Sequence, residues 1–244
     1  MNDEERQKFL HFIQSHIDIY GFHITIVNSV VEPRFAYSIG LRELFNFELI
    51  FAGGIYFQKN ELFKIFNECV KELKKTGEIN KQKITVGTLG TFSFSYVDPT
   101  WSELIMLGVF DYYGTHEISA FQIIPDQNHS TLDIPNMSKK WDSSSEPVWQ
   151  WLGREWDYAV PANSTIVTNI QALLGEPITE VMRLANNEWE MFAGPGPDVQ
   201  RENMRVVSLG TILGIDKSIL PATSLEIGKG LWRDSTDSDW NNWG

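Results

Sequence analysis

A single cysteine, Cys69, stands in a chain of 244 residues. One thiol makes an intrachain disulfide impossible and excludes a cysteine-based zinc site. It lies in the apolar stripe of a helical segment, which assigns it to the core rather than to nucleophilic chemistry. Basic residues are scarce as well: 20 Lys and Arg face 32 Asp and Glu, a formal net charge of -12. Such a surface repels phosphate backbones and anionic membranes, so neither nucleic acid nor membrane is an expected partner. The aromatic content, 15 Phe, 7 Tyr and 9 Trp, lacks the interleaved cations that base stacking requires. No apolar run approaches a membrane span, and "MNDEERQKFLHF" lacks the basic and apolar regions of a signal peptide. The expected location is the cytoplasm.

Assembled chemistry is equally sparse. The five histidines, His11, His16, His23, His116 and His129, form no HExxH pattern. His11, His16 and His23, close in sequence, share no helical face with matched carboxylates, so no metal site is expected. His116-Glu117, near Asp111, would offer acid–base groups if they lined a cleft; a turn beside Gly114 is the plainer reading. Ser38 and Ser208 sit in neither a nucleophile elbow nor a Ser-x-x-Lys site. The residues identify no catalytic group and no cofactor.

What is present is a regular alternation of periods. "DEERQKFLHFIQSHIDIYG" reads as a helix, with Asp3 as its cap, Phe9, Ile13, Ile17 and Tyr20 on a face turned to the core, and Gly21 at its end. Phe22, Ile24 and Ile26 alternate with His23, Thr25 and Val27 in a strand with one buried face, Glu32-Pro33 breaks it, and Phe35, Tyr37 and Ile39 form an antiparallel second strand. Leu49 to Ala52 reads as a third strand. "NELFKIFNECVKELKKTG" is the clearest helix, capped by Asn60, striped by Leu62, Phe66, Cys69 and Leu73, and closed by Gly77. Phe92, Phe94 and Tyr96 alternate. "ELIMLGVFDYYG" is apolar enough for a buried strand, with a helix as the other reading, and "EISAFQIIPD" is a strand.

The polar stretch 127–147 marks a linker, with a boundary near residue 140. Residues 1–140 carry 13 Lys and Arg against 17 Asp and Glu; residues 141–244 carry 7 against 15. Eight of the nine tryptophans also follow the boundary. In the second part Ile166 and Val167 begin a strand, and "ITEVMRL" and "EWEMF" form a hairpin around Asn186-Asn187 in left-handed turn geometry. The expected architecture is α+β, with antiparallel sheets and a few packed helices in two domains, 1–140 and 141–244.

The run "AGPGPD" poses a choice between an anion cradle and a stiff turn. Cradles offer successive backbone N–H groups. Pro195 and Pro197 have none, and Glu190 and Asp198 repel phosphate, so this run is a stiff turn. Beside it, Trp189, Phe192 and Asp198 offer apolar area and a charge to a partner, although alternation also turns Trp189 and Met191 inward.

Two resemblances follow from these motifs. Residues 9–135, through "YGFHITIV", "PRFAYSIGLRELFNFELIFAG" and "FQIIPDQNHSTLDIP", resemble a bacterial domain family of unknown function, number 4262. The matching positions are Gly21, Phe22, His23, Phe35 to Leu41, Glu48, Leu49, Gln122 and Asp126. The sequence departs from the pattern at Ser38 (usually Thr), Phe47 (usually Pro) and Pro125 (often Trp). Residues 177–243 resemble the bacterial domain family of unknown function 2185, grouped with immunity proteins, through Met182-Arg183, Trp189, Phe192-Ala193-Gly194 and Arg233.

The second resemblance implies a cytoplasmic protein that binds and neutralises a toxin of its own cell. The acidic surplus suits a basic toxin domain as partner. Arg183 and Arg233 would then pair with the partner's carboxylates or brace their own domain. The alternative is a flavin- or small-molecule-binding enzyme with a pocket lined by His23, Arg34 and Tyr37.

Overall fold

In the computed structural model, which describes residues 3–79, 83–115 and 117–243, the two apolar periods build two six-stranded sheets. His116 lies outside the described residues. The first sheet is made from strands β1 (His23–Val27), β2 (Phe35–Ile39), β3 (Glu48–Ala52), β4 (Ile84–Thr85), β5 (Thr91–Tyr96) and β6 (Ala120–Pro125). Around it lie helices α1 (Asp3–Tyr20), α2 (Arg42–Phe45), α3 (Lys59–Thr76), α4 (Pro99–Ile105) and α5 (Leu107–Tyr113). The strand order is β1-β2-β3-β6-β5-β4, with β3 and β6 parallel and the other pairs antiparallel.

Alternation explains the layers. Ala36, Leu49 and Phe51 turn to one face and meet Leu62, Phe66 and Cys69 of α3. Phe35, Tyr37, Ile39 and Ile50 turn to the other and meet Ile13 of α1 and Trp101 and Val109 of α4 and α5. Strands β2 and β3 are therefore buried along their whole length. Burial pushes the Cys69 thiol up to about 12, consistent with a core residue.

Two local expectations are corrected. Helix α3 is capped by Gln58, which forms a reciprocal box with Glu61, rather than by Asn60. The segment "ELIMLGVFDYYG" is helical, as the last turn of α4 followed by α5. Asp98 accepts from the Thr100 amide and Pro99 occupies the first turn, a helix-start signal upstream of the apolar run. The run is continuous because Ile105, Met106 and Val109 face the sheet while Leu107 is exposed.

The second sheet consists of β7 (Thr165–Asn169), β8 (Glu180–Arg183), β9 (Glu188–Phe192), β10 (Met204–Ser208), β11 (Gly230–Trp232) and β12 (Asn241–Trp243). Its order is β10-β7-β9-β8-β11-β12, parallel only between β7 and β9. Helices α6 (Ile170–Leu173) and α7 (Leu209–Ile215) add Leu173, Leu209 and Ile212 to a core holding Ile166, Val181 and Trp189. The β8–β9 hairpin forms as expected. Asn186 and Asn187 do not take left-handed geometry, since Asn46 is the only non-glycine residue with positive φ among the described residues. The fold is α+β, with helices and two mostly antiparallel sheets.

The sheets meet along a polar and tightly packed seam. Arg205 of β10 donates from Nε and Nη2 to the carbonyls of Ile55 and Tyr56, at 3.1 Å and 2.8 Å. The Trp149 indole donates to the Asp133 carbonyl at 2.8 Å, and the Trp151 indole to that of Gly210 at 3.2 Å. Helix α7 approaches through glycines: a Cβ on Gly214 would lie 2.5 Å from Val148 Cα, and one on Gly210 2.7 Å from the Val31 carbonyl oxygen. Val148 and Trp149 belong to the first sheet's core, so the polar stretch before them is anchored at both ends.

Within the first sheet one buried carboxylate ties several elements together. Glu48 is fully buried. Its oxygens accept from the amides of Gly40, Leu41 and Arg42 at 3.0, 3.3 and 3.1 Å. They also accept from the hydroxyls of Ser38 at 2.5 Å and Tyr113 at 2.7 Å. Both hydroxyls already accept backbone amides, Ser38 from Leu49 and Tyr113 from Gly40, so their protons are free to point at the carboxylate. Burial pushes the Glu48 carboxyl up, while Ser38, Tyr113, Arg42 and Gly40 pull it down. Glu48→Gln would set an amide N–H₂ among these donors and leave buried groups unpaired. The expected loss is on the order of 3 kcal/mol in urea denaturation; a midpoint within experimental error of the parent would contradict this role.

Candidate functional site

Gly21, with φ of 84°, turns the chain sharply from α1 into β1. This turn brings His16 and His23, seven positions apart, to an Nδ1–Nδ1 separation of 3.0 Å. One imidazole donates and the other accepts. Phe12, His16 and Tyr20 follow at intervals of four along α1 and so share one face. The Phe12 and His16 rings lie 4.3 Å apart, and His16 and Tyr20 5.8 Å apart. Phe63 and Asn67, again four apart, close the opposite wall from α3. The result is a mostly apolar groove with a volume of about 390 Å³.

The groove opens to solvent. Phe12, Tyr20 and Phe63 are 49%, 66% and 39% exposed, and the neighbouring Ile19 is 69% exposed. Tyr20, expected to face the core, instead lies beside His16 on the last turn of α1 and opens to solvent. His23 itself is buried. Its imidazole is pushed down to about 4, first by burial and then by the proximity of His16. At neutral pH the groove floor is thus an uncharged imidazole.

The other residues singled out from the sequence are dispersed. Arg34 donates from Nη2 to the Phe57 carbonyl at 2.6 Å and lines the seam. Tyr37 is buried under α5, its hydroxyl accepting from the Gly108 amide at 3.3 Å. His23 and Tyr37 lie on one face of the β1–β2 pair, but His23 meets His16 of α1, Tyr37 is covered by α5 and Arg34 lines the seam, so the pocket expected from all three is not assembled. In the second half, Trp189 and Phe192 are 1% and 4% exposed and neither is a surface anchor: Trp189 lies on the inner strand face with Met191, and Phe192, on the opposite face, is covered by the turn at Gly196. Arg183 donates to the carbonyls of Leu225 and Asn186 and stacks over Trp189, 5.0 Å from the ring centroid. Arg233 is buried, donates twice to the Ile178 carbonyl and lies 4.1 Å over the Trp240 ring. Both arginines brace their own half. Only Asp198 of this group is exposed.

The glycine–proline run is a turn satisfied from within. The Gly194 amide donates to Thr179 Oγ1 at 3.0 Å and the Gly196 amide to Glu180 Oε2 at 2.9 Å. Amides already engaged by the protein's own oxygens offer no cradle to an anion.

Residues 16–131 match the model of a family described as Domain of unknown function (DUF4262), so this part of the chain is a domain of that family. No curated protein and no solved structure matches the chain. The motif positions of this domain separate by role. Ser38, Gly40, Leu41 and Glu48 form the carboxylate network. Gln122 is buried, donating to the Pro135 carbonyl and accepting from the Met137 amide. Asp126 accepts from the Thr91 amide at 2.7 Å and pairs with His129. His23 differs from these, since its ring meets another imidazole at the floor of an open groove.

The depressed His23 value fixes a sign. The unfolded chain takes up this proton near pH 6.5, whereas the native state resists until about 4. The stability contributed by neutral His23 is complete above about 6.5 and is lost as pH falls toward about 4. Urea midpoints measured between pH 7.5 and 4.5, both order-of-magnitude brackets of that window, are expected to fall less steeply for His23→Phe than for the parent. Equal slopes would remove His23 from this account.

Proposed function

We propose that the protein acts by binding another protein, and that the partner docks on the aromatic groove between α1 and α3. One observation carries the reading: Phe12, Ile19, Tyr20 and Phe63 are large apolar side chains left open around a concave site that includes His23 of the family motif. Contiguous exposed apolar area rimmed by polar residues is a signature of protein recognition. Aromatic side chains supply much contact area at little entropic cost, which is why they recur as binding hot spots.

The formal charge of -12 favours a basic partner, because opposite fields raise the rate of encounter. The resemblance of residues 177–243 to immunity proteins sharpens the proposal. In that form the chain is a cytoplasmic, stoichiometric inhibitor of a basic toxin domain made by the same bacterial cell. The flavin reading has less support, since His23, Arg34 and Tyr37 do not converge.

The test is co-purification with a basic toxin domain encoded beside this gene, followed by titration calorimetry. Phe12→Ser and Tyr20→Ser remove exposed rings and are expected to leave the melting temperature unchanged. Together they should weaken the complex by about 30-fold or more, the effect of losing a hot spot. An unaltered affinity in the double variant would move the interface elsewhere, and failure to form any complex with that toxin would end the immunity reading.

A further inference from the structure

The seam between the sheets contains a second concavity, separate from the groove and independent of the protein-binding proposal. Its volume is about 340 Å³. Glu32 and Arg34 enter it from the segment before β2, Asp133 from the segment after β6, and Val206 and Val207 from β10. Neither sheet forms it alone. A cleft of this size at a junction of substructures, with apolar walls and a few polar groups, is the usual setting of a small-molecule site.

Its polar groups are unevenly satisfied. The Arg34 guanidinium uses only Nη2 on the protein, toward the carbonyls of Phe57 and Gly54. Its Nε is buried and has no hydrogen-bond partner, and Nη1 likewise makes no hydrogen bond to the described residues. A guanidinium so placed lacks an acceptor oxygen. Asp133, 1% exposed, is engaged by the Thr131 hydroxyl and the Ile55 amide and interacts electrostatically with Arg34. Glu32 is different: it accepts from the Ser29 hydroxyl and has no cationic partner among the described residues. With Arg34 balanced by Asp133, the Glu32 carboxylate leaves the cleft with surplus negative charge.

A ligand suited to this arrangement brings an acceptor oxygen for the guanidinium and a positive group for Glu32. It also brings an aliphatic body for Val206, Val207 and the nearby Val30. A simple anion meets Glu32 and Asp133 and is disfavoured, while a simple amine leaves Arg34 unserved. We infer that the seam cleft binds a zwitterion of the aliphatic amino-acid class, its carboxylate toward Arg34, its ammonium toward Glu32 and its side chain against the valines. Charge-assisted hydrogen bonds at both ends would orient it.

The experiment is calorimetric titration of the full chain with L-leucine as probe, beside 4-methylpentanoate, which lacks the ammonium, and isopentylamine, which lacks the carboxylate. Saturable 1:1 binding of leucine is expected, with both fragments at least about 10-fold weaker. Glu32→Gln alters a partly exposed side chain and should leave the unliganded melting temperature unchanged while weakening leucine about 10-fold. A matching loss in Arg34→Lys, read with a melting curve to check folding, would place the carboxylate. Absence of saturable heat up to about 10 mM leucine, an affinity too weak for a designed site, overturns the inference. Equal binding of the fragments, or a Glu32→Gln variant that binds like the parent, does so as well.

Discussion

A carboxylate removed from water must find its donors in the protein, and the placement of Glu48 sets the first half of this molecule. Three successive amides, from Gly40 to Arg42, converge on it only if the chain turns sharply after β2 and enters α2. Ser38 reaches it only if β2 and β3 lie side by side, and Tyr113 only if α5 covers their ends. One residue thereby fixes a strand pair, a turn and a helix. The apolar layers on either side then supply the bulk of the burial, since the transfer term scales with area rather than with direction. Directional bonds choose the arrangement, and apolar area holds it.

Charge is distributed by the same logic in the second half. Arg183, Arg205 and Arg233 spend their guanidinium groups on backbone carbonyls, two of them within their own sheet's half and one across the seam. Residues 141–244 have only seven basic side chains. With three committed inward, the exterior is more negative than the composition alone conveys. Acidity here is partly a by-product of how carbonyls at strand ends and turns are satisfied.

Much of the fold was legible in the sequence where a local signal was complete. The stripe of α3 and the alternation of β1, β2 and β9 each correspond to a face that packs as its period implies. The α4–α5 segment was less legible because its start signal, Asp98-Pro99, precedes the apolar run whose period was read. The cap of α3 moved from Asn60 to Gln58 because Gln58 and Glu61 satisfy each other's amides, a reciprocity that the single-residue rule does not weigh. At the site, His23 was legible through its motif. His16, Phe12 and Phe63 were not, since their convergence depends on the turn at Gly21 and on where α3 lies across the sheet. Alternation placed Trp189 and Met191 in the core, and the observed burial agrees with that reading rather than with an aromatic surface anchor.

The notched face of α7 has a consequence for how this chain can be divided. Gly210 and Gly214 stand one helical turn apart, and the backbone of the other half occupies the room their missing side chains leave. Expressed without residues 1–152, the second sheet would present that bare helix to water together with β10, whose Arg205 would have lost the carbonyls of Ile55 and Tyr56. The first sheet, cut at residue 140, would surrender the indole of Trp149 that plugs its own interior. Neither fragment inherits a finished surface, so evolutionary shuffling of either half would require rebuilding this joint.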